Sequence, residues 1–455
     1  MPAMETLREL ISRHKPNVTL LILGSGDMLM HMSELLEKVR KFISTAKGGG
    51  TLPAIMTPPP ITSKAVKMGL LPKDKYSTMA RRIEEHVASI RSSFGGHEAL
   101  LIDIHRFLTR RPRLCEHIYD GVHLDDVAQA AIAPYIASKL LKLVSIKGYP
   151  LMGFKEFIKV YSNGMHNAFT DIALWKGQYW LCFRTGSRHF IREKADGSIT
   201  VLRSPDLYKW DMAVRLKVRG WDNRDPKLMP WGSKLFLYTP SWSPELRTHT
   251  TFCFYTTNGE EWQGPFKCGN YVFWRPHLHR DKAYVAAYKV NKEDWEVHLL
   301  ESNDGINWRY VSTIARGDKA NETDILFENE KAYAFTRREA GTKRLLMLES
   351  KAPFTKWQAK ELTHIIQGPA VMRIGGEIMI AGRFYLENGS ARTGLFVLRK
   401  GELKLVFELP SGGDCSYPGM LLRDKTLIVS YYSSHEGSGT SDAPSDIYLA
   451  VLDLL

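Results

Sequence analysis

Apolar and polar residues alternate over short runs through most of this chain, and the runs come in pairs. The clearest pair lies in HNAFTDIALWKGQYWLCFRTGSRH, His166–His189. The pattern predicts a strand over Asp171–Trp175, a tight turn at Lys176-Gly177 and a second strand over Tyr179–Phe183. Ile172, Leu174, Tyr179, Leu181 and Phe183 take packing positions, whereas His166, Asn167, Asp171, Arg184 and His189 fall at hairpin ends. The same hairpin returns from Arg224, Trp274, Asn321, Gly368 and Ser416, at a period near 50 residues. Hairpins repeated at such a period predict a radial array of blades.

Residues 1–145 follow another rhythm. Strands at Val18–Leu23, Leu52–Met56 and Ala99–Asp103 alternate with helices at Met30–Thr45, Thr78–Ser92 and Asp125–Leu141. Strand–helix alternation predicts a parallel α/β sheet. The expected fold is therefore multidomain: an N-terminal α/β domain over 1–145, a linker with a ring-closing strand over 146–163, and an all-β six-bladed propeller over 164–455. The last blade lacks a fourth strand at its C-terminal end. Phe154–Tyr161, ahead of the first blade, has the pattern to supply it and so protect the edges of the ring.

Composition is that of a globular protein of 455 residues, with a formal charge of +13 and pI near 9.3. The charge favours an anionic partner. No Lys/Arg block or nucleic-acid motif is present, so an acidic oligosaccharide or polysaccharide is expected rather than nucleic acid. The five cysteines form no C-x-x-C pair, so neither a zinc site nor a disulfide framework is indicated, and no metal or cofactor is expected. No segment is apolar for long enough to span a membrane. The opening MPAMETLRELISRHKP reads as an amphipathic helix rather than a signal peptide. As the sequence stands this predicts a cytoplasmic protein; a missing start would make it secreted or periplasmic.

In the first domain, the order G-S-G-D after a strand, T-P-P-P, I-D and then D-G-V-H-L resembles the SGNH (GDSL-type) esterase family. In that family a D-x-x-H pair supplies two members of a Ser-His-Asp triad; Asp120 and His123 match it. The family's serine block has no counterpart here, and Gly26 stands where an oxyanion asparagine is expected. The resemblance thus implies a truncated domain with a vestigial dyad and no esterase activity.

The second domain carries a further repeat. Ser204–Trp210, Thr256–Trp262 and Ser302–Trp308 follow the pattern S/T-x-D/N-x-x-x-W, and Ser350–Trp357 is a degenerate copy. Their tryptophans are spaced 52, 46 and 49 residues apart. The pattern resembles the Asp-box (BNR) turn of sialidase-like propellers, where it joins third and fourth strands on the face opposite the site. The resemblance implies a glycoside hydrolase acting on a carboxylate-bearing glycan. Arginines grip the carboxylate, a glutamate activates a tyrosine nucleophile, and an aspartate is the acid/base. Candidates of matching type are Arg275, Arg337 and Arg383 for the clamp, with Arg184, Arg224, His277, Asp414 and His435 as further substrate contacts. Tyr417 or Tyr431 is the nucleophile, Glu322 or Glu436 its base, and Asp171 or Asp225 the acid/base. Propeller lyases and a related rhamnosidase family cleave beside uronate with His and Tyr. His166, His189, His277, His435 and Tyr431 keep that reading open. A non-catalytic glycan-binding propeller is the third possibility.

Overall fold

The structure, a computed structural model, describes residues 2–14, 18–94, 99–143, 152–290, 295–436 and 444–454. The first third of the expected linker, 146–151, lies outside the described residues. The chain divides into two compact units between Phe154 and Lys155.

The first unit is a three-stranded parallel sheet, Val18–Ile22, Leu52–Met56 and Leu100–Ile102, in that order. Helices Met32–Gly48 and Lys73–Phe94 pack on it through Leu35, Val39 and Phe42 and through Ile83, Val87, Ile90 and Phe94. These apolar residues recur every three or four positions, so each helix presents one stripe to the sheet. The expected helices and strands are all present, with ends shifted by a few residues.

The second unit is the propeller: six sheets, each with four antiparallel layers of strand. Blade 1 runs His166–Trp175, Gln178–Gly186, Ser198–Ser204 and Asp211–Leu216 from the axis outward. Blade 6 consists of Cys415–Arg423, Thr426–Ser433 and Asp446–Leu454, and its outer strand is Met152–Tyr161 from before blade 1. The ring therefore closes by pairing strands from the two ends of the unit, which removes two open edges. Large apolar side chains fill the spaces between blades; Phe183, Leu181 and Phe169 of blade 1 pack on Ile447, Leu449 and Tyr432 of blade 6.

The turns between third and fourth strands show why Ser, Asp and Trp recur. Ser302 Oγ accepts the Gly305 N–H at 2.9 Å, and Asp304 Oδ1 accepts the N–H groups of Ile306 and Asn307 at 2.8 Å each. Trp308 packs into the core between blades 2 and 3. These residues are occupied in holding turns, on the end of the blades opposite the loops that leave the second strands.

Every inner strand is interrupted near its start. Four carry a register shift: between Ala168 and Asp171, Ala320 and Thr323, Gln367 and Ala370, and Ser416 and Gly419. In blades 2 and 3 the strand is split, into Asp222–Asn223 and Lys227–Trp231 and into Val272–Phe273 and His277–His279. Such bulges bend the strand and re-aim side chains. Here they deliver Phe169, Arg224 and Asp225, Trp274 and Arg275, Glu322, Gly368 and Tyr417 to the centre of the ring.

Candidate functional site

Tyr417 stands at the middle of the constellation. Its hydroxyl donates to Glu322 Oε1 at 2.8 Å and accepts from Arg337 Nη1 at 3.0 Å. Arg337 also donates to Glu322 Oε1 at 2.7 Å and reaches Glu339 at 3.1 Å. The other Glu322 oxygen accepts the Gly368 N–H at 2.9 Å. Gly368 must be glycine: its φ is +59°, and a Cβ there would meet the Tyr417 ring at 2.9 Å. The Arg383 guanidinium lies 5.2 Å from the same ring, and Phe169 meets it edge-on at 5.1 Å. Burial raises the Tyr417 pKa; Arg337 and Arg383 oppose the shift and Glu322 reinforces it, so the resting group is a neutral phenol.

Asp225 and Arg224 come from the break in blade 2. Arg224 lies 4.9 Å from the Phe169 ring centroid and donates to the His189 carbonyl at 2.8 Å. Asp225 has a left-handed backbone, φ 39°, and its Oδ1 is buried without a hydrogen-bond partner. Burial raises its pKa against the pull of Arg224 and Lys227, and the Glu322 charge adds to the rise. A carboxyl held toward its protonated form beside a neutral phenol suits an acid/base role.

A second cluster adjoins the first. Asp414 Oδ2 takes hydrogen bonds from His166 Nε2 at 2.8 Å and His189 Nδ1 at 2.6 Å, with tautomers set by that pairing. Its Oδ1 takes Tyr432 Oη at 2.7 Å and Arg383 Nη2 at 2.9 Å. Burial alone would raise the Asp414 pKa, but the two histidines and Arg383 outweigh it and drive the carboxyl well below its usual range. Burial lowers the pKa of His189 despite Asp414, which keeps its imidazole neutral at neutral pH. These three residues also form the one group with metal-ligand spacing found among the described residues. The buried His166 Nδ1 has no hydrogen-bond partner, so the outer partner that orients most metal-bound histidines is missing.

Other expected site residues lie elsewhere. Arg275 spans the axis: it pairs with Asp171 and donates to the Pro418 carbonyl at 2.8 Å, with Asp324 3.6 Å away. Asp171 Oδ2 accepts the Leu228 N–H at 2.8 Å, and Asp324 Oδ1 takes His277 at 2.6 Å. Arg275, Asp171 and His277 thus tie blades together, with Arg275 on the carbonyl that follows Tyr417. Arg184 is fully buried, bound to Asp222 at 3.0 Å and to the Arg188 carbonyl at 2.8 Å. Glu436 pairs with Lys159, and His435 Nδ1 bonds Ser433 Oγ at 2.8 Å. Tyr431 points away from the funnel and stacks on Tyr448 at 5.5 Å; strand alternation turns its neighbour Tyr432, unnoticed in the sequence, toward Asp414 instead. In the first unit, His123 Nδ1 lies 2.6 Å from Asp120 Oδ2. Burial would raise the Asp120 pKa, but bonds from His123 and two backbone N–H groups hold it at about 2.

No protein-family model and no curated protein matches the chain. Among solved structures it is similar to an endosialidase of phage phi92, at 10% identity over 66% of this chain and 69% of that one, with a TM-score of 0.52. It is also similar to a Trypanosoma rangeli sialidase mutant displaying trans-sialidase activity, at 14% identity over 65% of this chain and 57% of that one, TM-score 0.51. The T. rangeli sialidase complex with 2,3-difluorosialic acid gives 14% identity over 63% and 54%, TM-score 0.50. The chain thus spans little more than half the length of the trypanosomal enzymes. At these identities the likeness establishes the six-bladed propeller fold. The esterase resemblance of the first unit finds no support in these comparisons.

Proposed function

We propose that the propeller is a glycoside hydrolase acting on a carboxylate-bearing glycan, with Tyr417 as nucleophile. The observation that carries the reading is the Tyr417 hydroxyl donating to Glu322 Oε1 at 2.8 Å inside an arginine-lined centre. Arg337, Arg383 and Arg224 face the substrate carboxylate, a role for which planar, permanently charged guanidinium groups are suited. A neutral phenol can approach an anionic sugar without the like-charge repulsion that a carboxylate nucleophile would meet. Tyr417 Oη attacks the anomeric carbon while its proton passes to Glu322, and Asp225 gives its proton to the departing glycosidic oxygen. Water then attacks the glycosyl–tyrosine bond, Asp225 takes the water's proton, and Tyr417 recovers its own from Glu322. The covalent intermediate named for the trypanosomal sialidase with 2,3-difluorosialic acid is consistent with such a route in that protein.

The test is release of an aryl leaving group from aryl sialosides and aryl uronides. Wild type should turn over at least one of them, and Tyr417→Phe should lose about a thousandfold or more, roughly 4 kcal/mol of barrier. No release across the panel, or full activity in Tyr417→Phe, refutes the reading. A second reading, elimination beside a uronate, draws on His189: it is neutral, anchored by Asp414 and half-buried. Uronate polymers would then yield an ultraviolet-absorbing unsaturated product, and its absence discards that route.

A further inference from the structure

The centre does not end at the Tyr417 cup. A groove of about 840 Å³ opens on blades 1 and 2, lined by Arg192, Glu193, Lys194, Trp242, Glu245 and Arg247. Aromatic and guanidinium groups lead to it from the centre in successive contacts. Tyr417 meets Phe169 at 5.1 Å, Phe169 meets Arg224 at 4.9 Å, Arg224 meets Phe190 at 5.0 Å, and Phe190 meets Trp242 at 6.5 Å. Phe190 is 41% exposed although it packs on Arg224 and Trp242 of blade 2. Trp242 is fixed by its indole N–H on the Arg192 carbonyl at 3.0 Å and by the His249 ring at 4.9 Å. Arg192 and Arg247 are exposed and enter no ion pair among the described residues, and Arg247 is held in a left-handed turn, φ 50°. Lys194 lies 3.7 Å from Asp196.

A second groove, of about 510 Å³, opens between blades 5 and 6, lined by Arg383, Tyr385, Arg392 and Asp414. Tyr385 is 43% exposed there. Asp414 lines the second groove and bonds His189, which begins the segment carrying Arg192 and Lys194 into the first.

We infer that this face binds a linked run of acidic sugars, laid from the Trp242 groove across Tyr417 toward Tyr385, so that the natural ligand is an oligomeric or polymeric acidic glycan rather than a lone terminal sugar. Rigid aromatic walls suit sugar rings; Arg192 and Arg247 in the first groove, and Arg383 and Arg392 beside Asp414 and Glu408 in the second, place cations at both ends of the path to meet repeated carboxylates. The inference rests on the centre being an acidic-glycan site, as proposed above.

The experiment is calorimetric titration of the full chain carrying Tyr417→Phe, which removes turnover. The probes are α2,8-linked sialic acid as monomer, dimer and tetramer, and galacturonate at the same lengths. In one series the tetramer should bind at least tenfold tighter than the monomer, with a gain that shrinks as salt rises. Trp242→Ala and, separately, Arg247→Ser should each reduce the tetramer-to-monomer ratio severalfold; Arg247 is exposed, so its variant keeps the test open if Trp242→Ala fails to fold. Equal affinity for monomer and tetramer in both series, no binding in either, or a ratio that survives in both variants overturns the inference. The two readings fail separately. Aryl glycoside turnover without a length effect removes only the extended site. A length effect without turnover in the wild type removes only the hydrolase.

Discussion

Glu322→Ala should destabilise the propeller more than Tyr417→Phe, and the two changes together should cost less than their sum. In wild type the Glu322 carboxylate takes the Tyr417 hydroxyl at 2.8 Å, Arg337 at 2.7 Å and the Gly368 N–H at 2.9 Å, with its side chain 8% exposed. Removing it leaves the Arg337 guanidinium with only Glu339 and the Tyr417 hydroxyl as partners, a buried N–H without a partner and a buried hydroxyl without its acceptor. Breaking a buried ion pair on one side costs about 3–5 kcal/mol. Tyr417→Phe removes two hydrogen bonds, to Glu322 and from Arg337, but Glu322 keeps Arg337 and Gly368 and Arg337 keeps Glu322 and Glu339, so about 2 kcal/mol is expected. In the Glu322→Ala background the hydroxyl keeps only the bond from Arg337, so deleting it should cost about 1 kcal/mol, giving a coupling of about 1 kcal/mol. All eleven tryptophans lie between Trp175 and Trp357, so tryptophan fluorescence in urea follows the propeller alone. With a slope of about 3 kcal/mol/M, the Glu322→Ala midpoint should fall by about 1 M. A midpoint indistinguishable from wild type, or strict additivity in the double variant, would show that this network is not formed as described.

Three further outcomes are expected. Because burial raises the Asp225 pKa and the proposed hydrolysis would use its proton, kcat/KM on an aryl glycoside should fall as pH rises through that pKa, and Asp225→Asn should abolish this limb; an unchanged profile in the variant removes Asp225 from the role. Burial and the Arg224 charge push the His249 pKa down to about 4 from an ordinary 6.5, so the unfolded chain takes up that proton first and the propeller should lose up to roughly 3 kcal/mol as pH falls across this window, a loss that His249→Gln should abolish in urea titrations. A chain starting at Ser162 lacks the strand that pairs with Asp446–Leu454 and should self-associate through the open edge, which gel filtration would detect as species larger than those of the full chain.

The blades were legible because each hairpin buries both faces against its neighbours, so apolar residues recur with a period of two and a turn residue marks the reversal. The ring-closing strand was legible for the same reason: Phe154–Tyr161 has blade patterning but no partner nearby in sequence. The site was legible by residue type but only partly by position. Bulges break the period at the points that matter, and no fixed alternation tells which side of a bulge a residue occupies. That is why Asp171, four residues after Asn167, belongs to the ties between blades while Glu322, just after Asn321, reaches Tyr417. A usable signal was present: Asp225-Pro226, Arg275-Pro276, Gly368-Pro369 and Tyr417-Pro418 put proline in inner strands, where a missing N–H is tolerated only at an edge or bulge. Tyr431 and Tyr432 posed the opposite difficulty. Adjacent tyrosines on a strand face opposite sides, and the Tyr432 hydroxyl on Asp414 at 2.7 Å shows which of the two looks inward.

The same inner-strand device both closes the ring and builds the centre. Asp171 accepts the Leu228 N–H of the next blade, and Asp324 accepts the Val371 N–H of the next blade at 2.7 Å. Glu322 does the same with Gly368, but it is one methylene longer and spends only one oxygen on the tie. The other oxygen is left for Tyr417 and Arg337. A carboxylate fixed at one oxygen by the ring itself holds its second oxygen in place without help from substrate, which is the preorganisation that proton transfer from a phenol requires. Glu322 therefore cannot be exchanged for a shorter or neutral side chain without loosening the ring as well as the base. For the same reason, stability and turnover should fall together at this position and separately at Tyr417.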